Sequence, residues 1–220
     1  MPTLPLFPLG TVLFPGVVMP LHVFEPRYQQ LIADLRSGAR QRFGVVAIRR
    51  GGEVGEGAAT DLYPMGCAAE VRRISDRPDG SHDVITVGIE RFRLESLVAS
   101  DSPYLVGEVS YLPDPAEEDA RPLAGLVADA FLAYLTAMTE VRGGDDALPD
   151  LPEDPRVLSY LVATTALLEL NDRHELLACP SVGRRLAAEL RLLRRETGFL
   201  RGIKAVPVPL RELQVPPGPN

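Results

Sequence analysis

The sequence predicts an α+β fold: a small, closed or nearly closed β-barrel carrying one helix, followed by an α-helical bundle. Two observations predict it. Residues from about Thr3 to Pro113 are rich in valine, glycine and short apolar runs separated by turn signals, which is the texture of strands in a small barrel. Residues from about Pro122 to Phe199 are rich in leucine, alanine and arginine at helical spacing. Between them lies an acidic, proline-containing stretch, Pro113-Asp114-Pro115-Ala116-Glu117-Glu118-Asp119, which reads as a linker. The implied division is a barrel over 1–113, a linker over 114–121, a helical part over 122–203 and a proline-rich tail over 204–220.

In the first half, Pro5, Pro8, Pro15 and Pro20 break the opening apolar stretch and keep it from being helical. Pro26 suits a first helical turn, and Tyr28, Leu31, Ile32 and Leu35 follow at i, i+3, i+4 and i+7. Gly38 is placed to end that helix. Arg42 to Ile48 is a buried strand, and Gly51 to Gly57 a loop. Leu62 to Ile74 is a strand with Gly66 at a bulge. Asp79-Gly80 makes a hairpin turn that includes His82, Asp83 to Ile89 returns, and Tyr104 to Leu112 is a last strand.

In the second half, a helix is expected over Pro122 to Val141, ended by Gly143-Gly144-Asp145-Asp146. Asp154-Pro155 caps and opens a helix through Leu170. A short helix follows from Asp172 to Ala178. Ser181 caps the last one, which ends near Phe199. Its stripe is Val182, Leu186, Leu190 and Leu193. Arg184, Arg185, Arg191, Arg194 and Arg195 flank that stripe and read as a solvated face. The tail from Val206 to Asn220 is proline-rich and extended or disordered.

Composition excludes several functions. A net charge of -7 disfavours a nucleic-acid partner. Cys67 and Cys179 match no zinc or redox spacing, and read as buried thiols. No secretory signal and no apolar run of membrane-spanning length is read, so no membrane partner is expected and the cytoplasm is the expected location. The chain has one lysine, Lys204, in no P-loop context. His22, His82 and His174 are scattered, no G-x-S-x-G elbow occurs, and no metal-ligand spacing is present. No catalytic residue, cofactor or metal is therefore expected.

The opening series Leu4-Pro5-Leu6-Phe7-Pro8-Leu9-Gly10, Val12-Leu13-Phe14-Pro15-Gly16 and Met19-Pro20-Leu21-His22-Val23-Phe24-Glu25-Pro26-Arg27-Tyr28 resembles the start of the Lon protease N-terminal domain. Arg42-Phe43-Gly44-Val45, Gly66-Cys67-Ala68-Ala69-Glu70-Val71, Gly88-Ile89-Glu90-Arg91-Phe92-Arg93 and Pro103-Tyr104-Leu105-Val106-Gly107-Glu108-Val109 continue the same order. The resemblance is strong over residues 3–113 and looser in the helices, where Asn171-Asp172-Arg173-His174 departs from the family's usual run.

The resemblance implies a six-stranded PUA-like pseudo-barrel and a non-catalytic module that recognises unfolded or misfolded protein segments. The family's ATP-driven motor is not read in this sequence, and the family's serine–lysine peptidase pair is disfavoured by the single lysine. A separate ATP-dependent protease is then a partner, with the chain acting as adaptor or chaperone-like factor. The residues singled out for partner binding are Phe14, Phe24, Glu25, Arg27, Tyr28, Arg91 and Phe92. Each has a structural alternative: a Glu25–Arg27 ion pair tying helix to barrel, a core position for Phe14, a structural pair in Arg91 and Phe92. A PUA-like RNA or small-molecule binder and an uncharacterised hydrolase are the other functional readings.

Overall fold

The computed structural model describes residues 1–38, 41–51, 61–114, 120–144 and 147–204. Most of the expected loop after Arg50, most of the linker, Asp145-Asp146 and the proline-rich tail from Ala205 lie outside the described residues.

Six strands form one mixed sheet: β1 (Thr3–Leu9), β2 (Val18–Val23), β3 (Arg42–Arg50), β4 (Asp61–Asp76), β5 (His82–Val98) and β6 (Val106–Tyr111). The spatial order is β2-β5-β4-β3-β1-β6, with a further pairing of β5 to β6. That pairing closes the sheet into a ring of five strands and leaves β2 attached to β5 alone. Closure depends on the length of β5. Its first part, His82–Val87, pairs with β2, and its second part, Phe92–Val98, pairs with β6. β1 and β3 run parallel, and every other pairing is antiparallel.

The tight inner packing needs small residues. A Cβ on Gly66 would stand 2.5 Å from the Phe92 ring and 2.6 Å from the Val45 carbonyl oxygen. Gly66 pairs with Val46 and Phe92 at the edge of an irregularity, since the next β3–β4 pair after Val46–Gly66 is Ile48–Leu62. Its lack of a side chain also serves a close approach. Further irregularities of β4 fall at Ala68/Ala69 and Val71/Arg73. At the hairpin, Gly80 takes the positive φ of 83° that the turn requires, and His82 opens β5 rather than lying in the turn.

Helix α1 (Pro26–Ser37) buries Tyr28, Leu31, Ile32 and Leu35, as their spacing predicts. Gly38 follows it in an extended conformation, φ -85°, so the left-handed freedom of glycine is not used there. Four helices follow β6: α2 (Arg121–Arg142), α3 (Pro155–Thr165), α4 (Leu170–Ala178) and α5 (Val182–Lys204). Asp154 caps α3 by accepting from the Arg156 and Val157 amides at 2.8 and 3.1 Å. The helix then ends at Thr165 and not at Leu170. The Leu167 amide instead donates to the Tyr134 hydroxyl at 3.0 Å, which fixes the turn into α4.

By length and composition α2 is apolar enough to cross a membrane, with a mean hydropathy of 1.4. That differs from the sequence expectation because alanines raise an average without forming a continuous leucine-like run. In the fold α2 buries Val127, Phe131 and Tyr134 in a cluster with Leu158 and Val162 of α3 and Leu186 and Leu193 of α5.

Three further clusters complete the core. One lies between α1 and the barrel wall around Phe7, Tyr28 and Phe43. One fills the barrel around Leu6, Val46 and Phe92. The last joins the two halves: Phe14, Ala47 and Met65 from the barrel side meet Tyr160 and Ala163 of α3 and Leu176 and Leu177 of α4.

Candidate functional site

Where the barrel meets the helices the chain forms a groove of about 720 Å³. One wall is the Pro15-Gly16-Val17 turn, and the other is α3 through Arg156, Val157, Tyr160, Leu161 and Thr164. The floor is β5 at Ile89, Glu90 and Arg91, with Leu112 and Asp114 beyond it. The turn is fixed by sequence. Gly16 has φ 79°, and its amide donates to the Gly88 carbonyl at 2.8 Å. The Gly88 amide donates back to Val17 at 2.9 Å. A Cβ on Gly88 would meet the Phe14 carbonyl oxygen at 2.2 Å, so the turn seats on β5 only because that residue is glycine.

On the edge away from β4, the floor is the part of β5 between its β2 and β6 pairings. β2 pairing ends at Val87 and β6 pairing begins at Phe92. The Leu112 amide closes the far end by donating to the Arg91 carbonyl at 2.9 Å. Ile89 and Glu90 thus lie between the two pairings on that edge of β5, and their amides turn to the Cys67 sulfur of β4. A groove of this kind, walled by apolar side chains, has room for the side chains of an extended segment.

Beneath the groove runs a buried polar seam that joins the halves. Arg91 is 2% exposed although it carries a charge. Its Nη1 donates to the carbonyls of Leu177 and Cys179 at 2.9 and 2.6 Å, at the C-terminal end of α4. A guanidinium there satisfies helix-end carbonyls and suits the negative end of the helix dipole. Its Nη2 donates to the Pro113 carbonyl and to Asp114 Oδ1, both at 3.2 Å.

Asp114 Oδ2 accepts from Arg185 Nη2 at 3.3 Å and from the Tyr160 hydroxyl. Arg185, 0% exposed, also lies 4.1 Å over the Tyr160 ring and donates through Nε to Ser159 Oγ at 2.7 Å. The Ser159 hydroxyl in turn donates to Glu189 Oε1 at 2.7 Å. Burial pushes the Glu189 carboxyl up to about 8, against the opposing pull of Ser159 and Arg185. Burial also raises the Tyr160 phenol, and the Asp114 carboxylate adds to that shift. Cys67, wholly buried on β4, is pushed up to about 12 by desolvation and is not poised as a nucleophile.

The seven residues singled out from the sequence fall into two groups. Phe14, Tyr28 and Phe92 are buried at 0%, 4% and 0% exposure. Phe14 packs against Tyr160 at 5.9 Å, Tyr28 stacks on Phe7 at 4.1 Å, and Phe92 lies against Gly66. Arg91 belongs with them as the seam's main donor. Phe24, Glu25 and Arg27 lie together at the start of α1. Phe24 is 53% exposed, and Glu25 Oε2 pairs with Arg27 Nη2 at 2.9 Å. The fold does not bring Phe24 and Arg91 to one surface feature: Arg91 lines the groove, and Phe24 is not among its lining residues.

Sequence reasoning missed Asp114, Ser159, Tyr160, Arg185 and Glu189. Arg185 was expected on the solvated face of the last helix, and its burial corrects that expectation. The available signal was spacing: Arg185 and Glu189 stand three residues after Val182 and Leu186, within the apolar stripe of α5. The other five arginines of that helix, Arg184, Arg191, Arg194, Arg195 and Arg201, are exposed. Among the described residues no group of three or more His, Cys, Asp and Glu side chains is placed to hold a metal ion.

Comparison with known proteins places this geometry. The family model for the ATP-dependent protease La (LON) substrate-binding domain matches residues 3–195. Lon protease 1 of Herpetosiphon aurantiacus is 31% identical over 199 residues, covering 87% of this chain and 24% of that protein. Lon protease 1 of Thermus thermophilus is 32% identical over 200 residues, with 88% and 24% covered. The chain therefore spans about a quarter of the length of these curated relatives. The crystal structure of a Lon N-terminal domain protein from Xanthomonas campestris superposes with a TM-score of 0.63 at 26% identity, covering 87% of this chain and 98% of that one. The N terminal domain of the Mycobacterium avium complex Lon protease, at 18% identity and TM-score 0.63 over 90% of this chain and 98% of its own, shares the fold.

Proposed function

The chain belongs to the family of the LON substrate-binding domain, and on that premise we propose that it is a non-catalytic module that binds unfolded or misfolded polypeptide segments in the groove between barrel and helices. The observation that carries this reading is the groove itself, with apolar walls from Pro15, Val17, Val157 and Leu161 over the Ile89–Glu90 stretch of β5. An extended client lays its apolar side chains against these walls. Such binding is sequence-tolerant and modest in affinity, because ordering a flexible client costs entropy.

Within this reading the chain serves as adaptor or chaperone-like factor, delivering clients to a separate ATP-dependent protease. Closure of the sheet through β5 supports the PUA-like assignment of the barrel, 1–113, with 114–121 as linker and 122–203 as helical part. Two free, shielded thiols, Cys67 and Cys179, support a reducing cytoplasmic setting. Phe24, Glu25 and Arg27 at the start of α1 are proposed as a second, outlying contact for the client, Phe24 being exposed. Phe14, Tyr28, Arg91 and Phe92 act on binding through the shape of the barrel and groove.

The test is titration of the whole chain with a reduced and alkylated, permanently unfolded protein, followed by fluorescence anisotropy. Val157→Asp and Leu161→Asp place charges on the groove wall without disturbing the core, since neither residue is fully buried. Each is expected to weaken binding by about tenfold, the cost of roughly 1.4 kcal/mol. Binding that is absent in the wild type, or unchanged in both variants, would overturn the assignment of the groove.

A further inference from the structure

The contact of α4 with the barrel is built around a buried histidine whose Nε2 has no partner. His174 is 8% exposed, and its ring stacks on Tyr63 of β4 at 4.2 Å between centroids. Arg49 of β3 lies over the Tyr63 ring at 5.1 Å. The His174 Nε2 is buried with no hydrogen-bond partner. Beside it on α4, Arg173 has a buried Nε that is also without a partner, and its Nη2 reaches the Val12 carbonyl at 3.4 Å.

Of the acids nearby, Asp61 of β4 lies 3.9 Å from Arg49, and Asp172 pairs with Arg195 of α5 at 2.6 Å. Glu175 on α4 itself, accepting from the neutral Asn171 amide at 3.0 Å, is the carboxylate that pulls toward the imidazolium, against the larger effects of burial and Arg49. The other charges of α5 beside α4 are Arg184 and Arg191, which line a second groove with Asp172 and Glu175. From α3 the titratable group in the shared cluster is Tyr160. Every fixed charge facing the ring from the barrel side is therefore positive or already paired.

We propose that His174 is an acid-released latch: uncharged, it lets α4 close on β4; protonated, it becomes a third cation beside Arg49 and Arg173 and frees α4 from the barrel. An imidazolium has two N–H donors to satisfy and this site offers Nε2 no acceptor. Burial, reinforced by Arg49, holds the imidazole below the ordinary histidine value, in keeping with that geometry. Because α4 shares its cluster with Phe14 and Tyr160, its release loosens the α3 wall of the groove. The link to client release rests on the function proposed above. The latch itself does not.

The experiment is hydrogen exchange of the whole chain across about pH 5 to pH 7.5, corrected for intrinsic rates, with no client present. Below about pH 6.5 the opening of residues 170–178 is expected to rise by up to about tenfold per pH unit, until the docked histidine itself is charged. His174→Phe keeps the stack on Tyr63, cannot take a proton, and is expected to remove that dependence. Arg49→Met removes the cation over Tyr63 and is expected to move the midpoint up toward the ordinary histidine value. It also serves as the deciding variant where His174→Phe does not fold. His22 and His82 pair with Asp83 and Asp76 at the far end of β4 from Tyr63, so exchange at the hairpin is followed separately from that of α4. Flat protection of α4 in the wild type, an unchanged pH dependence in His174→Phe, or an unmoved midpoint in Arg49→Met would each overturn the latch. Failure of client binding alone would overturn the groove assignment and leave these outcomes intact.

Discussion

The barrel interior and the arginines of the seam beneath the groove are both buried, but they are held together by different physics. Inside the barrel, Leu6, Val46, Ala68 and Phe92 pack on glycines that admit no side chain. Water loses nothing polar there, so the burial is uniformly favourable. In the seam, two arginines share one carboxylate, and each desolvated charge depends on its neighbours. The barrel therefore tolerates conservative change in any one apolar residue. The seam does not tolerate loss of any one partner, and it is the part that fixes the helices onto the barrel.

Removing the shared carboxylate is the strongest test of that contrast. Asp114→Ala leaves Arg91 and Arg185 buried without an acid and the Tyr160 hydroxyl without its acceptor. It is expected to cost about 3–5 kcal/mol in urea denaturation. Strand pairing in the barrel should outlast the helical part as urea rises, read as amide protection in β3 and β4 after α3 and α4 have exchanged. A single transition with a loss under about 1 kcal/mol, within the range of a surface site, would erase the distinction.

The barrel has its own intolerance, which is steric. Gly88→Ala drives a methyl group into the backbone carbonyl of Phe14, an atom that no side-chain rotation can move. The expected loss is about 1–3 kcal/mol. It should be accompanied by displacement of the Pro15-Gly16-Val17 turn, visible as lost protection of the Gly16 amide that bonds Gly88.

These two sites also show how far the sequence could be read. The strands, the helix after Pro26 and the Asp79-Gly80 turn follow from local rules: alternation, spacing and turn chemistry acting within ten residues or so. The barrel's family pattern is a series of such local signals in order. β5 was read only to Ile89 and resumed at Gly88–Arg93 by resemblance, because an irregularity opposite Ala68/Ala69 breaks its alternation. The seam escaped because its partners are distant. Arg91 meets Leu177 and Cys179 across 86 and 88 positions, and Arg185 meets Asp114 across 71. No propensity encodes such a meeting. Only the presence of Arg185 and Glu189 within an otherwise apolar stripe hinted that the stripe faces a polar partner.

Titration separates the regions more gently, since the barrel interior contains no group that titrates near neutrality. The carboxyl of Glu189 rises from 4.5 to about 8 on folding, so its uncharged form is the one the fold accommodates. Its contribution is complete below about 4.5 and is lost as pH rises through about 8. Wild-type stability is therefore expected to decline from mildly acidic toward alkaline pH. Glu189→Gln keeps an acceptor for Ser159 and should flatten that decline, measured as the urea midpoint against pH. This slope runs opposite to the acid-side loss expected from His174 at the α4 contact, so the seam and the α4 contact can be separated in one profile.

The smallest effect is expected at Phe24, and its contrast with Phe14 is informative. Both stand in the same opening series, ten positions apart, and both were candidates for partner contact. Phe14 is wholly enclosed between barrel and α3, whereas Phe24 is 53% exposed beside His22. Phe24→Ser should change stability by less than about 0.5 kcal/mol, as an exposed position does. If the start of α1 is an outlying client contact, the same change weakens binding of the unfolded protein by a few-fold, less than the groove-wall variants do. Equal weakening from Phe24→Ser and Leu161→Asp would move the centre of recognition from the groove to the free flank of β2, where the edge of the sheet is open.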